Sequence, residues 1–102
     1  MSMSKGSAHD LSLSQIKAIL GPLFGDCRVY LFGSRATGSY KNASDFDIGV
    51  LAARNISREL SLARERLEDS NIPFTVDLVD LNATSEEFAR RVQEGGILLW
   101  KN

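Results

Sequence analysis

The stretch RVYLFGSRATGSYKNASDFDIGVL, residues 28–51, contains two strand patterns separated by a polar segment. Residues 28–32 form a short run rich in β-favouring side chains, and Gly33-Ser34 ends it abruptly. Residues 45–51 alternate between apolar and polar side chains, which predicts a strand with one buried face. The polar segment between the two runs predicts a loop with room for one helical turn.

Two aspartates, Asp45 and Asp47, project from the polar face of the second predicted strand. Side chains at positions i and i+2 of a strand point the same way, with α-carbons about 6.5 Å apart. Two carboxylates at this spacing can hold a pair of divalent metal ions about 3.5–4 Å apart. The simplest alternative is a strand end that carries charge to prevent edge pairing.

A third carboxylate from a neighbouring strand would complete such a metal site. Residues 74–79 also alternate, and Asp77 lies on the less apolar face of this run. Asp80 is the competitor, but its parity groups it with the apolar positions. Asp77 is therefore the preferred third ligand.

Gly33 and Ser34 lie where the first predicted strand ends. A glycine lets the backbone approach a phosphate closely, and a serine hydroxyl and nearby amides can donate hydrogen bonds to its oxygens. The neighbouring Arg35 could neutralise phosphate charge, or could be a surface arginine in a polar loop. Alone, a Gly-Ser pair usually marks only a turn, so the hypothesis depends on its spacing to the aspartates.

Three further segments have helical periodicity. Ser57 is predicted to cap the second helix, and Thr84 with Glu87 has capping-box spacing at the start of the third. The order helix, strand, strand, helix, strand, helix predicts an α+β domain with a small mixed β-sheet flanked by helices. The predicted helices span residues 12–20, 57–69 and 84–94.

The chain has 102 residues, enough for one small domain and too few for two. We assign residues 1–11 to a flexible N-terminal arm and residues 12–102 to the domain. The net charge of -1 does not indicate the strongly basic surface of a typical nucleic-acid-binding protein. No apolar run approaches the roughly 18 residues of a membrane span, and no signal peptide is apparent, so we expect a cytoplasmic protein.

The single cysteine, Cys27, rules out an internal disulfide. Its expected role is that of a small apolar side chain at the start of a strand. His9 lies in the polar N-terminal segment and no base accompanies the thiol, so nucleophilic chemistry at Cys27 is not predicted.

Gly33-Ser34 followed after ten residues by the aspartate pair resembles the signature of the DNA polymerase β-like nucleotidyltransferase superfamily. Residues 31–38 and 44–48 are similar to the minimal nucleotidyltransferase, or MNT, branch of that superfamily. Residues 76–81 resemble the strand of the third carboxylate, where the first aspartate is the ligand. The resemblance covers residues from about 12 to 100.

The resemblance implies a polymerase β-like fold and a two-metal mechanism. Asp45, Asp47 and Asp77 would bind two Mg²⁺ ions, with Mn²⁺ as an alternative, and Asp77 could also act as base. Gly33 and Ser34 would hold the β and γ phosphates of a nucleoside triphosphate, ATP in this branch.

Minimal nucleotidyltransferases resemble the antitoxin half of toxin–antitoxin pairs, whose partners are helical HEPN ribonucleases. The resemblance therefore implies transfer of AMP from ATP to a tyrosine of a HEPN-type toxin. Two alternatives are an antitoxin that neutralises the toxin by binding alone, and a transferase for a small molecule such as an aminoglycoside. The carboxylates favour catalysis over occlusion, and the short chain leaves little room for the acceptor-binding domain that a small-molecule transferase carries.

The apolar run at residues 97–100 is relevant to partner binding. We expect Ile97 and Leu99 to close the core of the domain itself. Trp100 is expected to remain partly exposed, where an aromatic side chain often anchors an interface. A stable complex with the toxin is predicted.

Overall fold

A computed structural model describes residues 7–41 and 44–100 of the chain. The elements follow the predicted order, with one short helix and one edge strand in addition. They are α1 (Ser7–Phe24), β1 (Arg28–Phe32), α2 (Ser34–Thr37), β2 (Phe46–Leu51), α3 (Ser57–Glu68), β3 (Val76–Asp80), α4 (Glu86–Gly95) and β4 (Ile97–Trp100).

The four strands form one sheet in the order β3-β2-β1-β4. β1 pairs antiparallel with both β2 and β4, whereas β2 and β3 run parallel. A parallel pair needs a crossover connection, and α3 provides it. The predicted α+β fold with a small mixed sheet flanked by helices is confirmed.

The helices cover the two faces of the sheet unequally. α1 and α3 lie on one face and enclose the main core, which includes Ile16, Leu20, Phe24, Val29, Leu31, Phe46, Ile48, Ile56, Leu60, Ala63 and Leu78. α4 lies on the other face, where Ala89 and Val92 pack with Tyr30 and Leu81. The part of this second face near Asp77 stays open to solvent, and Asp77 itself is exposed.

The helix α1 begins earlier than predicted. Residues 7–11, predicted as part of a flexible arm, form its first turns, while residues 1–6 lie outside the described residues. The cause is tertiary, because His9 stacks on Tyr40 and Phe46 with ring centroids 4.7 and 5.2 Å apart. Across residues 7–41 and 44–100, no helix has both the length and the apolar character to cross a membrane.

The caps of α3 and α4 are each displaced by one residue from prediction. Ser57 is already helical, and Ile56 takes the N-cap position without a side-chain hydrogen bond. The N-cap of α4 is Ser85, whose hydroxyl accepts a hydrogen bond from the amide of Phe88 at 3.1 Å. Thr84 instead donates its hydroxyl to a carbonyl in the preceding turn. Ser85 can cap because its backbone is extended, as N-capping requires.

The apolar run at residues 97–100 is an edge strand, not a tail. Its antiparallel pairing with β1 leaves Ile97 47% exposed, whereas Leu99 and Trp100 pack against the main core. Trp100 also donates its indole N–H to the carbonyl of Phe24 at 2.9 Å. The core prediction is therefore wrong for Ile97 and right for Leu99, and the domain itself holds the half-buried Trp100.

Cys27 is buried at the start of β1, as expected for an apolar position. Burial, together with the neighbouring Asp26 carboxylate, raises the pKa of its thiol to about 11. The thiol is thus protonated at neutral pH, and only the thiolate is a good nucleophile.

Candidate active site

Asp47 lies at the centre of the candidate site, on β2. Its partner across the sheet is Phe32 of β1 on one side and Asp77 of β3 on the other. Because paired residues of neighbouring strands point to the same face, Asp47 and Asp77 share the face on which α4 packs. Asp45 lies two residues earlier, just before β2 begins, and is exposed.

The pKa of the Asp47 carboxyl is raised above its ordinary value. Burial is the main cause, and the negative charges of Asp77 and Asp45 add to it. The three carboxylates therefore act on one another electrostatically. Ionisation of Asp47 is therefore less favourable than that of an ordinary aspartate, and a positive charge close to it would oppose this effect.

The three side chains do not form a closed set of metal ligands in their present rotamers. Within residues 7–41 and 44–100, no three acidic, histidine or cysteine side chains converge as they do around a metal ion. Repulsion between like charges favours rotamers that keep the carboxylates apart. The donors are nonetheless carboxylates, the ligands that Mg²⁺ and Mn²⁺ prefer, so the residues suit a divalent cation once their side chains rotate.

Asp80 lies further along β3, away from Asp47. Its cross-strand partner is Val50, and its carboxylate accepts a hydrogen bond from the amide of Asn82 at 2.9 Å in the following turn. The fold therefore brings Asp77, and not Asp80, alongside Asp47.

Gly33 turns the chain immediately after β1. Its φ of 75° lies in the left-handed region, which glycine adopts far more readily than other residues. A Cβ at this position would also overlap the Oδ2 atom of Asp47. The predicted phosphate-binding turn and the central aspartate are thus in direct contact, and Ser34 follows as the first residue of α2.

Arg35 points into the molecule. It is 3% exposed, and its Nη2 and Nε atoms donate to the carbonyl of Ser44 at 3.0 and 3.3 Å. Its guanidinium carbon lies 4.2 Å from the ring centroid of Tyr40 and 4.4 Å from those of Phe46 and Phe74. The surface-arginine alternative is therefore wrong. The predicted phosphate contact of Arg35 has no geometric support, because the guanidinium is enclosed by rings and a carbonyl.

A different arginine, Arg91 of α4, lies near the Gly33 turn. It lines a cavity of about 260 Å³ together with Gly33, Phe32 and Phe88. The side chain is 72% exposed and donates to Glu87 at 2.9 Å, one helical turn away. Sequence patterns do not single out Arg91, which looks like any charge on a solvated helix face. Only the packing of α4 beside β1 places it here.

A larger cavity, of about 430 Å³, lies on the other side of the site at the free edge of β3. Asp77 and Thr75 line it from the strand, and Arg64 lines it from α3. The Arg64 Nη2 atom donates to the carbonyl of Leu78 at 2.8 Å, which joins α3 to this edge. Most of the lining lies on the α3 side of the sheet, including Leu67, Ile72 and Phe74, and the exposed Asp77 lies at the border of the cavity.

The fold, the glycine turn and the row of carboxylates define a class of protein. Residues 15–102 match the family model described as Polymerase beta, Nucleotidyltransferase. The chain belongs to this nucleotidyltransferase family, as its motifs indicated.

Two relatives make the comparison more particular. The chain is 36% identical over 86 residues to a probable protein adenylyltransferase MntA of Haemophilus influenzae, which covers 80% of this chain and 73% of the relative. It is 39% identical over 75 residues to the protein adenylyltransferase MntA of Shewanella oneidensis, which covers 71% of this chain and 52% of that relative.

Several solved structures with the same fold are toxin–antitoxin complexes. One, described as a toxin–antitoxin with AMP-PNP, matches with a TM-score of 0.72 and 31% identity over 87% of this chain and 73% of the other. Another contains a tri-AMPylated Shewanella oneidensis HEPN toxin in complex with an MNT antitoxin. It matches with a TM-score of 0.62 and 31% identity over 91% of this chain and 72% of the other.

Proposed function

We propose that this protein transfers AMP from ATP to a tyrosine hydroxyl of a HEPN-type toxin and thereby acts as its antitoxin. The observation that carries the proposal is the pairing of Asp47 with Asp77, together with the contact between the Asp47 carboxylate and the Gly33 turn. The relatives support the substrate class, since they are protein adenylyltransferases and one related complex contains an AMPylated HEPN toxin.

Asp45, Asp47 and Asp77 are the proposed ligands of two Mg²⁺ ions, with Mn²⁺ as an alternative. When bound, the ions would lower the pKa of the acceptor hydroxyl and offset charge on the triphosphate. The raised pKa of Asp47 supports this assignment, because a divalent cation would relieve the repulsion from its two neighbours.

Gly33 and Ser34 are the proposed ligands of the β and γ phosphates. The Ser34 hydroxyl, which follows the turn in contact with the Asp47 carboxylate, can donate to a phosphate oxygen. ATP is the proposed nucleotide, since a related toxin–antitoxin structure holds its analogue AMP-PNP.

The proposed reaction is an in-line displacement at the α-phosphorus of ATP. The tyrosine oxygen forms a bond to this phosphorus, the bond to the β-phosphate oxygen breaks, and pyrophosphate leaves. Asp77 is exposed at the edge of β3 and would accept the proton of the attacking hydroxyl. Asp45 and Asp47 would hold the metal ions that offset the negative charge of the triphosphate.

The test is to incubate the purified protein and its toxin with ATP and Mg²⁺ and to measure the intact mass of the toxin. Addition of AMP is expected with the wild type and with Asp69→Asn, a change to an exposed aspartate after α3, and not with Asp45→Asn. A toxin that stays unmodified but is inhibited equally by wild type and Asp45→Asn would contradict transfer and favour occlusion.

A further inference from the structure

Arg35 is a buried cation without an acidic partner. In the parts of the chain that the structure describes, no carboxylate lies within ion-pair distance of it. A charge removed from water is unfavourable unless other contacts compensate. Here the compensation comes from the Ser44 carbonyl and from the faces of three aromatic rings.

These contacts bracket Asp45, one of the proposed metal ligands. The Ser44 carbonyl, which accepts from both Nε and Nη2 of Arg35, belongs to the peptide bond immediately before Asp45. The ring of Phe46, immediately after Asp45, lies 4.4 Å from the guanidinium. One side chain therefore contacts both residues that flank Asp45, the backbone of Ser44 and the ring of Phe46.

The other end of Arg35 belongs to the predicted phosphate-binding turn. Arg35 is the second residue of α2, and the carbonyl of Gly33 accepts hydrogen bonds from the amides of Ala36 and Thr37 at 3.1 and 3.3 Å. This single helical turn connects the Arg35 backbone rigidly to Gly33. Arg35 thus joins the turn to the segment that carries Asp45.

Residues of α1 and of the segment before β3 also contact the Arg35 guanidinium. The Nη1 atom of Arg35 donates to the Nδ1 atom of His9 in α1 at 3.2 Å, and the His9 ring stacks on Phe46. Phe74, which precedes β3, covers the guanidinium at 4.4 Å, and the amide of Phe46 donates to the carbonyl of Thr75 at 2.9 Å. The contacts of Arg35 therefore fix the relative positions of α1, α2 and the segments that begin β2 and β3.

We propose that Arg35 is a positioning residue that sets the distance between Asp45 and the Gly33–Ser34 turn. This inference rests on the proposed function, because Asp45 and the turn are its metal-binding and phosphate-binding parts. Asp45 needs such support because it precedes β2 and is not part of the backbone hydrogen-bond ladder of that strand. Arginine suits the task because its planar fork can bind one carbonyl through two N–H groups while its face stacks on rings.

The experiment compares Arg35→Gln and Arg35→Lys with Ile56→Val, which removes core packing in the segment after β2. Each protein is studied at the same number of degrees below its own melting temperature, so that differences in global stability do not cause differences in the readouts. Arg35→Lys keeps the buried charge and serves if Arg35→Gln does not fold. The readouts are Mn²⁺ affinity, amide hydrogen exchange, and kcat and KM for AMP transfer.

We expect Mn²⁺ to bind at least about tenfold more weakly to Arg35→Gln, the usual effect of losing support for a metal ligand. Amides of Asp45 and Phe46 should exchange faster while those of Ile48 and Val50 do not, and the kinetic loss should fall on kcat. Arg35→Lys should lie between Arg35→Gln and wild type.

Equal Mn²⁺ affinity and equal local exchange in Arg35→Gln and Ile56→Val would overturn the inference. Hydrogen exchange decides it even if the wild type proves unable to transfer AMP. Failure of transfer in the wild type, with faster exchange confined to Asp45 and Phe46 in Arg35→Gln, would instead refute the proposed function alone.

Discussion

The carboxylate of Asp47 lies against the α-carbon of Gly33 and beside Asp77, where burial and like charges disfavour an anion. Groups held in such positions are common in active sites, where stability is sacrificed for chemistry. The same contact makes Gly33 necessary for steric as well as conformational reasons. Single residues in this site can therefore be tested through stability as well as through activity.

Asp47→Asn is predicted to raise the melting temperature of the metal-free protein at neutral pH. The folded-state pKa of Asp47 is raised, so its ionised form costs stability above that pKa, and the cost disappears as pH falls through it. The gain should therefore shrink in acid. Thermal melts of wild type and Asp47→Asn between pH 4 and pH 8 (from about the ordinary aspartate pKa to about four units above it) would check this, with Asp69→Asn as control. A variant that melts lower than wild type at pH 7 would contradict it.

Gly33→Ala is predicted to destabilise the protein more than Gly38→Ala and to abolish AMP transfer. Both glycines have positive φ, of 75° and 82°, so each substitution should cost about 1–2 kcal/mol of unfolding free energy through backbone strain. Only at Gly33 does the new Cβ also overlap Asp47, whereas nothing lies within 4 Å at Gly38. Equal unfolding free energies and equal activities for the two variants would refute this explanation.

The pKa of His9 is lowered by burial first and by the nearby Arg35 charge second, while Asp10 opposes the shift. A lowered histidine pKa means that the folded state favours the neutral ring. This contribution to stability is full above the unfolded value of 6.5 and is lost as pH falls below it. His9→Gln should therefore flatten the acid side of the stability profile, and denaturant titrations at pH 5 and pH 8 (about 1.5 units either side of that pKa) would measure it. An unchanged slope would argue against the neutral, stacked ring.

At the scale of elements, the packing of α4 next to β1 determines which arginine side chain lies beside the Gly33 turn. Arg35, adjacent to Ser34 in sequence, is turned into the core by α2, and Arg91, distant in sequence, lies beside the Gly33 turn. The strand β4 also depends on packing between elements. It pairs with β1, and in that position Ile97 is exposed whereas Leu99 packs against the main core. Ile97 and Leu99 have the same strand parity, so alternation alone does not separate them. The pairing of β4 with β1 is irregular between Val29 and Tyr30, and consecutive residues Leu99 and Trp100 both pack against the main core.

Arg91→Gln is predicted to raise the KM for ATP by about tenfold, the equivalent of one lost charge-assisted hydrogen bond of about 1.5 kcal/mol. The physical reason is that Arg91 lines the cavity that includes Gly33, and it can leave its exposed ion pair with Glu87 to contact a triphosphate. Arg90→Gln is the matched control, because this neighbouring exposed arginine does not line the cavity. Steady-state kinetics with equal KM values for the two variants would exclude Arg91 from ATP binding.

At the scale of the whole molecule, the described residues 7–41 and 44–100 form one sheet with helices on both faces, and the candidate site lies near the β3 edge of the face on which α4 packs. Asp77 is exposed there, and an open cavity of about 430 Å³ adjoins it. Ligands that bind only the folded state stabilise it by mass action, so the free energy of unfolding of the domain measures ligand binding at this site.

Mn²⁺ with ATP is predicted to stabilise the wild type by about 2.7 kcal/mol when the free ligand is at about 100 times its Kd. The double variant Asp45→Asn, Asp47→Asn should lose this effect and keep its fold, because the two aspartates contribute charge and not core packing. Melting curves with and without ligand, with circular dichroism as the control for folding, would measure it. Equal stabilisation of wild type and double variant would rule out these metal ligands.

Local sequence was sufficient where a feature depends on a few neighbouring residues. The bounds of β1, the alternation of β2 and the end of the first strand at Gly33 follow from side-chain period and glycine chemistry, and all three are found. The choice of Asp77 over Asp80 also followed from parity, and the register of β2 and β3 pairs Asp77 with Asp47. The metal and phosphate roles of these residues remain predictions.

Contacts between distant parts of the chain were needed for the rest. The start of α1 depends on His9 stacking with Tyr40, the burial of Arg35 depends on three rings from other segments, and β4 exists because β1 offers a free edge. None of these has a local pattern, since a polar residue before a helix or an arginine in a loop is usually solvated. Their energies come from burial and hydrogen bonding that arise only when the elements have assembled.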